Sequence, residues 1–154
     1  MALALNTAEM GIRYAVETTA GTKPSSGFVE IPGVKSIPEV GGEPNMLDSS
    51  TLANQKYKTY IMGLQDPGGS LGLTVNDYPA FRTAWDACIT AHAALTGGKA
   101  MWFELFYNDS TMKSFYFTGR PVDLSYGGAD VDEVLENTAY VIIEGEPEWG
   151  TAST

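Results

Sequence analysis

Apolar and polar positions alternate over residues 70–75, where Leu71, Leu73 and Val75 share one parity and Gly72 and Thr74 the other. That period predicts a half-buried β-strand. The period then changes. Phe81, Trp85, Cys88, Ile89, His92 and Leu95 recur at spacings of three and four, which predicts an amphipathic helix over about 78–95 that packs by one aromatic stripe. Asn76 or Asp77 is placed to cap its first turn, Pro79 is tolerated there, and Gly97-Gly98 lets the chain leave. Arg82 and Asp86, four apart on the opposite side, form a candidate ion pair worth about 0.3 kcal/mol.

Further strand candidates lie at 12–16 and 28–34, with a weaker one at 55–64. Segments 101–107 and 112–118 flank the turn Asn108-Asp109-Ser110-Thr111 and predict an antiparallel hairpin. Val122, Leu124 and Tyr126 continue a period of two, and a last long candidate spans 131–144. Seven or eight strands and one helix predict a mainly β fold. Its layers would be two packed antiparallel sheets, a sandwich or partly open barrel, with one flanking α-helix. At 154 residues the chain supports one core, so 1–154 reads as a single domain with an amino-terminal arm of about 1–11. The last five residues, GTAST, have little to pack and are expected to fray.

Between the early strands lies the stretch 33–63, GVKSIPEVGGEPNMLDSSTLANQKYKTYIMG, rich in turn formers. Proline limits regular structure, Gly41-Gly42 permits tight turns, and Met46, Leu47 and Leu52 stand as apolar teeth. So long a connection is either a loop folded over its own core or an arm, about 41–58, that meets a partner. The hairpin at 101–118 adds to the second reading. Large apolar side chains occupy both parities in Trp102-Phe103-Glu104-Leu105-Phe106-Tyr107 and Phe115-Tyr116-Phe117, so both faces want cover and a neighbouring subunit is one source of it.

Nine basic against 19 acidic residues give a net charge of −10, which disfavours tight binding of duplex DNA or an anionic membrane. The single cysteine allows no intrachain disulfide. Neither a secretory signal nor a membrane anchor is expected, since no segment reaches about 18 consecutive apolar residues. Cys88 and His92 lie four apart, but no third orienting group or oxyanion donor is identifiable, and His92 fits the apolar stripe as a packing residue. Asp130, Asp132, Glu133 and Glu136 match no calcium loop and read as a solvated acidic face. The glycines form no nucleotide fingerprint. No catalytic, metal or cofactor site is expected, and the protein is read as a non-enzyme.

The run FVEIPGVKSIPEVGGEPNMLDSSTLANQKYKTYIMGLQDPGG, followed by a strand, the helix of YPAFRTAWDAC and the closing AYVIIEGEP, resembles the major tail tube protein of long, non-contractile-tailed bacteriophages. Its most specific parts are EIPGVKSIPEVGGEP and the G-L-x-D-x-G-G at 63–69. The resemblance implies a subunit of hexameric rings that stack around a tape-measure protein into a conduit for genomic DNA. Tail terminator and tail-tip proteins would be further partners, with assembly in the bacterial host cytoplasm. It also implies that the loop carrying Gly41, Gly42, Met46, Leu47 and Leu52 reaches the adjoining ring. The lumen of such tubes is commonly negative, so DNA would pass without specific binding. Parity makes Asp123, and more weakly Asp132, Glu136 and Glu144, the candidate lumen acids. The inner tube of a contractile tail or secretion system is the alternative within the class; a stand-alone β-barrel binder or hydrolase is the alternative outside it.

Overall fold

A computed structural model describes residues 4–5, 8–41, 44–53, 56–66 and 68–153. Strands β1 (Gly11–Val16), β2 (Val29–Glu30), β3 (Val34–Ser36), β4 (Met46–Asp48), β5 (Tyr60–Met62) and β6 (Ser70–Asn76) precede helix α1 (Pro79–Ala93). Strands β7 (Met101–Phe106), β8 (Ser114–Pro121), β9 (Glu136–Ile143) and β10 (Glu148–Gly150) follow it. The fold is mainly β with one helix. Seven strands form the antiparallel order β2-β1-β7-β8-β9-β6-β3, β10 extends it by pairing with β8, and β4-β5 form a separate two-stranded sheet.

The large sheet curls because its two ends share one core. Ile12 and Tyr14 from β1, Phe103 from β7, Phe117 from β8, Val141 from β9 and Leu73 from β6 belong to a single buried cluster. Ile31, between the two edge strands, joins it. Helix α1 lies against β1 and β8 and inserts Phe81, Trp85 and Cys88 into the same cluster. Phe103 and Phe117 stack at 5.5 Å, Phe81 and Trp85 at 5.9 Å. The Trp85 indole N–H donates to the Val122 carbonyl at 3.0 Å, so this aromatic buries its body without orphaning its polar tip.

Several expectations about local structure are corrected. The candidate strand 28–34 is broken into β2 and β3 by a turn at Gly33, whose φ of +81° and whose closeness to the Tyr78 ring leave no place for a Cβ. The α1 N-cap is Tyr78 with no side-chain cap, because the Asp77 carboxylate is engaged by Arg82 through two hydrogen bonds of 2.6 Å. Arg82 therefore pairs with Asp77 rather than forming the salt bridge expected with Asp86. Residues 122–126 are not a strand. Val122 keeps one bond to Tyr140 and its carbonyl accepts from Trp85 of α1, but the segment is irregular and leaves Tyr126 86 % exposed. The last long strand begins at Glu136; Asp132, at φ +59°, sits in a turn, which removes the parity argument made for it.

The carboxyl end is corrected most. Instead of fraying, Gly150 belongs to β10, Tyr116 lies 2.5 Å from the Thr151 carbonyl, and Ser153 binds Glu104 by both its backbone N–H and its hydroxyl. This segment and the loop after β1 cover the second face of the β7-β8 hairpin. Tyr116 is buried there, edge-on to Phe28 and under the Lys23 ammonium, and the Arg13 guanidinium lies 3.9 Å from the Phe106 ring. The hairpin's double-sided apolar pattern is thus met largely within the chain.

Two carboxylates anchor that cover. Glu104, fully buried, receives Arg13 at 3.2 Å, Tyr116 at 2.9 Å and both Ser153 donors. Burial alone would raise its pKa, but the Ser153, Ser114 and Tyr116 donors outweigh that and hold it below the ordinary carboxylate value. Glu17 is likewise opposed by burial and lowered on balance, by the Trp102 indole and the Ala100 and Gly21 backbone N–H groups.

Candidate assembly surfaces

Strands β4 and β5 pair in register, Met46 with Met62, Leu47 with Ile61 and Asp48 with Tyr60, and the ladder extends through Ser49 to Thr59 and Gly63 to Asn45. Alternation puts Leu47 and Ile61 on one face and Met46, Met62 and Tyr60 on the other. All five are exposed, between 49 % and 65 %. An isolated two-stranded ribbon is at best marginally stable in water, and an apolar ribbon bare on both faces needs an external surface. The arm expected to be irregular is therefore part of a ribbon; the weaker strand candidate 55–64 contains β5, while β4, three residues long and with Asp48 as its one polar residue, does not read as a strand from the sequence. Of the loop residues singled out from sequence, Met46 and Leu47 lie on β4, Leu52 is fully exposed beyond it, and Gly41 takes φ +106° before it. Gly42 lies outside the described residues.

At the ribbon's base runs a groove of about 1040 Å³. Val40, Met62, Phe115, Ile143 and Trp149 line it, and Asp66, Glu144 and Glu146 supply its acids. A smaller groove of about 290 Å³ shares Val40, Phe115 and Trp149 and adds Glu39. Trp149, in edge contact with Phe115 at 5.0 Å and stacked with Tyr107 at 6.3 Å, is still 55 % exposed. Sequence reasoning missed this tryptophan, because β10 is three residues long and follows Gly145 and Pro147.

The helix residues divide by depth. Phe81, Trp85 and Cys88 are buried, while Ile89, His92 and Leu95 are half-buried at the stripe's margin. Burial pushes the Cys88 thiol up to about 12, and its neighbour at 3.7 Å is the Met101 sulfur, so the group stays a protonated thiol near neutral pH. The acids proposed for a lumen do not form one cluster. Asp123 and Asp132 are exposed in irregular segments, and Glu136 is paired with Lys35. Glu144, just past the other end of β9, is about 25 Å from Glu136 along the strand. Among the described residues no three His, Cys, Asp or Glu side chains are placed to hold a metal, and no helix is long and apolar enough to cross a membrane.

No family model matches the chain, and no curated protein matches it. Solved structures do. A chain in the cryo-EM structure of the anti-feeding prophage (AFP) baseplate, 6-fold symmetrised, aligns with a TM-score of 0.63 at 12 % identity over 97 % of both chains. A chain in the cryo-EM structure of the anti-feeding prophage cap, the AFP tube terminating cap, aligns with a TM-score of 0.52 at 13 % identity over 99 % of this chain and 95 % of that one. This protein shares their fold.

Proposed function

We propose that the chain is a structural, non-catalytic subunit of a phage-type tail tube, closing into hexameric rings that stack around a tape-measure protein and conduct genomic DNA. The observation that carries this reading is the β4-β5 ribbon, largely apolar and about half exposed or more on both faces. A chain that buries Phe81, Trp85 and Phe103 completely while leaving five large apolar side chains together in water is built to meet another surface. The fold shared with chains of the anti-feeding prophage baseplate and cap, and the resemblance of EIPGVKSIPEVGGEP to tail tube proteins, supply the class of assembly. The tail terminator and tail-tip proteins are the expected end partners, and the net charge of −10 suits a wall past which DNA slides. In this reading Asp123, Asp132, Glu136 and Glu144 are the acids offered to the lumen.

A second reading, the inner tube of a contractile tail or secretion system or a ring at its end, draws on the baseplate and cap likeness. Negative-stain imaging of the purified chain at rising concentration tests both. Tubes of uniform bore are expected; single rings that never stack would favour the terminal position, and persistent monomers at millimolar concentration would sink the assembly reading.

A further inference from the structure

The ribbon and the groove at its base are complementary in charge as well as in apolar character. The ribbon's far end carries Lys56 and Lys58 beside the exposed Tyr57, and neither lysine has an ion-pair partner among the described residues. The groove presents Asp66, Glu144 and Glu146 around Phe115, Ile143 and Trp149, and none of those three acids is in a described ion pair either. Arg13, Lys23, Lys35 and Arg82 are each paired within the chain; Lys99, Lys113 and Arg120 are, like Lys56 and Lys58, in no described ion pair, but only Lys56 and Lys58 lie on the ribbon segment. On a surface with ten surplus negative charges, two unpaired lysines on an apolar protrusion and three unpaired acids at an apolar groove make a matched set.

We infer that the groove formed by Val40, Phe115, Ile143 and Trp149 is the receptor for the β4-β5 ribbon of a second copy of this chain, with that copy's Lys56 and Lys58 set against Glu144 and Glu146. This rests on the assembly reading and names the surface that receives the ribbon; it assigns Glu144 to the groove instead of the lumen wall. The contact is heterologous. Each copy gives a ribbon and offers a groove, so the arrangement propagates from copy to copy and does not stop at a dimer. Burying Met46, Leu47, Ile61 and Met62 against Phe115 and Trp149 supplies the driving force. The charges select the partner and the register, since like charges juxtaposed across an interface disfavour wrong pairings.

The test is a charge swap between copies. One variant carries Lys56→Glu with Lys58→Glu; the other carries Glu144→Lys with Glu146→Lys. Each alone sets like charges across the contact, and each is expected to need at least about tenfold more protein than the unmodified chain to assemble, by sedimentation velocity at low salt. Mixed in equal amounts, every ribbon finds a groove of opposite charge, and assembly returns to near the unmodified level. Circular dichroism of each variant confirms that it is folded. Unmodified protein that fails to assemble would count against the assembly reading itself. Unmodified protein that assembles, together with variants that assemble alone as well as it does or a mixture that fails to recover, would overturn the groove assignment. If the amino-terminal arm of the same chain fills the groove, mixing has no effect, which is one of those overturning results.

Discussion

The curled sheet with its helix and the β4-β5 ribbon are built from the same residue types and have opposite relations to water. In the first, Trp85, Phe81, Phe103 and Phe117 are fully buried and stacked in two pairs, and the one polar atom among their rings is satisfied by Val122. In the second, Met46, Leu47, Tyr60, Ile61 and Met62 are paired across two strands of three residues and remain about half exposed or more. The first region earns its stability inside the chain and the second keeps its apolar surface for another chain. The contrast makes stability and assembly separable by mutation.

The largest effect belongs to the core. Trp85→Ala removes a fully buried side chain on α1, which lies against β1 and β8, and its ring neighbour Phe81 and the rest of the buried cluster cannot collapse fully into the space. A loss of about 3 to 5 kcal/mol is expected in denaturant unfolding. A loss below about 1 kcal/mol would show that α1 is only loosely docked. His92→Gln, at the stripe's half-buried margin, is expected to stay within about 1 kcal/mol of the unmodified chain.

A smaller effect tests the carboxyl-terminal cover, which uses charge where the core uses apolar surface. Glu104→Gln keeps the shape but presents an amide nitrogen to at least one of the donors Arg13, Tyr116 and Ser153, and is expected to cost about 1 to 3 kcal/mol. The same carboxylates set a pH dependence. The folded-state pKa values of Glu104 and Glu17 lie below the ordinary carboxylate value, so their contribution is complete above about pH 4.5. As the pH falls through the lowered folded values the contribution is lost. Thermal unfolding between pH 7 and 3 is expected to show a fall in Tm that begins below pH 5 and is smaller in Glu104→Gln. A Tm that is level down to pH 3 would remove these two groups as anchors.

What the sequence made legible follows the same division. The elements with one clean period, β6 and α1, were readable because a single face of each is buried, and β7-β8 because a polar turn separates two apolar runs. The carboxyl-terminal cover was not, because β10, Thr151 and Ser153 contribute mainly hydrogen bonds to Glu104 and Tyr116, which come together only across separations of 35 to 49 residues. The double-sided hairpin was read correctly as needing cover on both faces; the source of that cover depended on those long-range contacts. Of the ribbon, β5 lay inside the weak strand candidate 55–64, while Met46 and Leu47 were visible as apolar teeth and not as a strand, since β4 has only three residues. The parity argument for Asp132 did not hold, because the strand starts later, after a left-handed turn.

The smallest effect on stability is the most telling for assembly. Leu47→Asp with Ile61→Asp changes one face of the ribbon at two cross-strand partners that belong neither to the core cluster nor to the partly buried side chains packed against it. Replacing exposed side chains away from caps, cavities and buried networks usually moves stability by no more than about 0.5 kcal/mol, and that is the change expected in denaturant unfolding of the unassembled chain. Two carboxylates placed opposite each other also repel, so the ribbon itself loosens, but its opening is local and leaves the curled sheet intact. Assembly behaves differently. An apolar contact given two buried charges without partners fails, and no rings or tubes are expected by negative stain at concentrations where the unmodified chain forms them. Tubes from this variant would mean that the ribbon's exposed face serves no contact between subunits. A stability loss of several kcal/mol, with or without tubes, would mean that the ribbon belongs to the fold as much as Trp85 does.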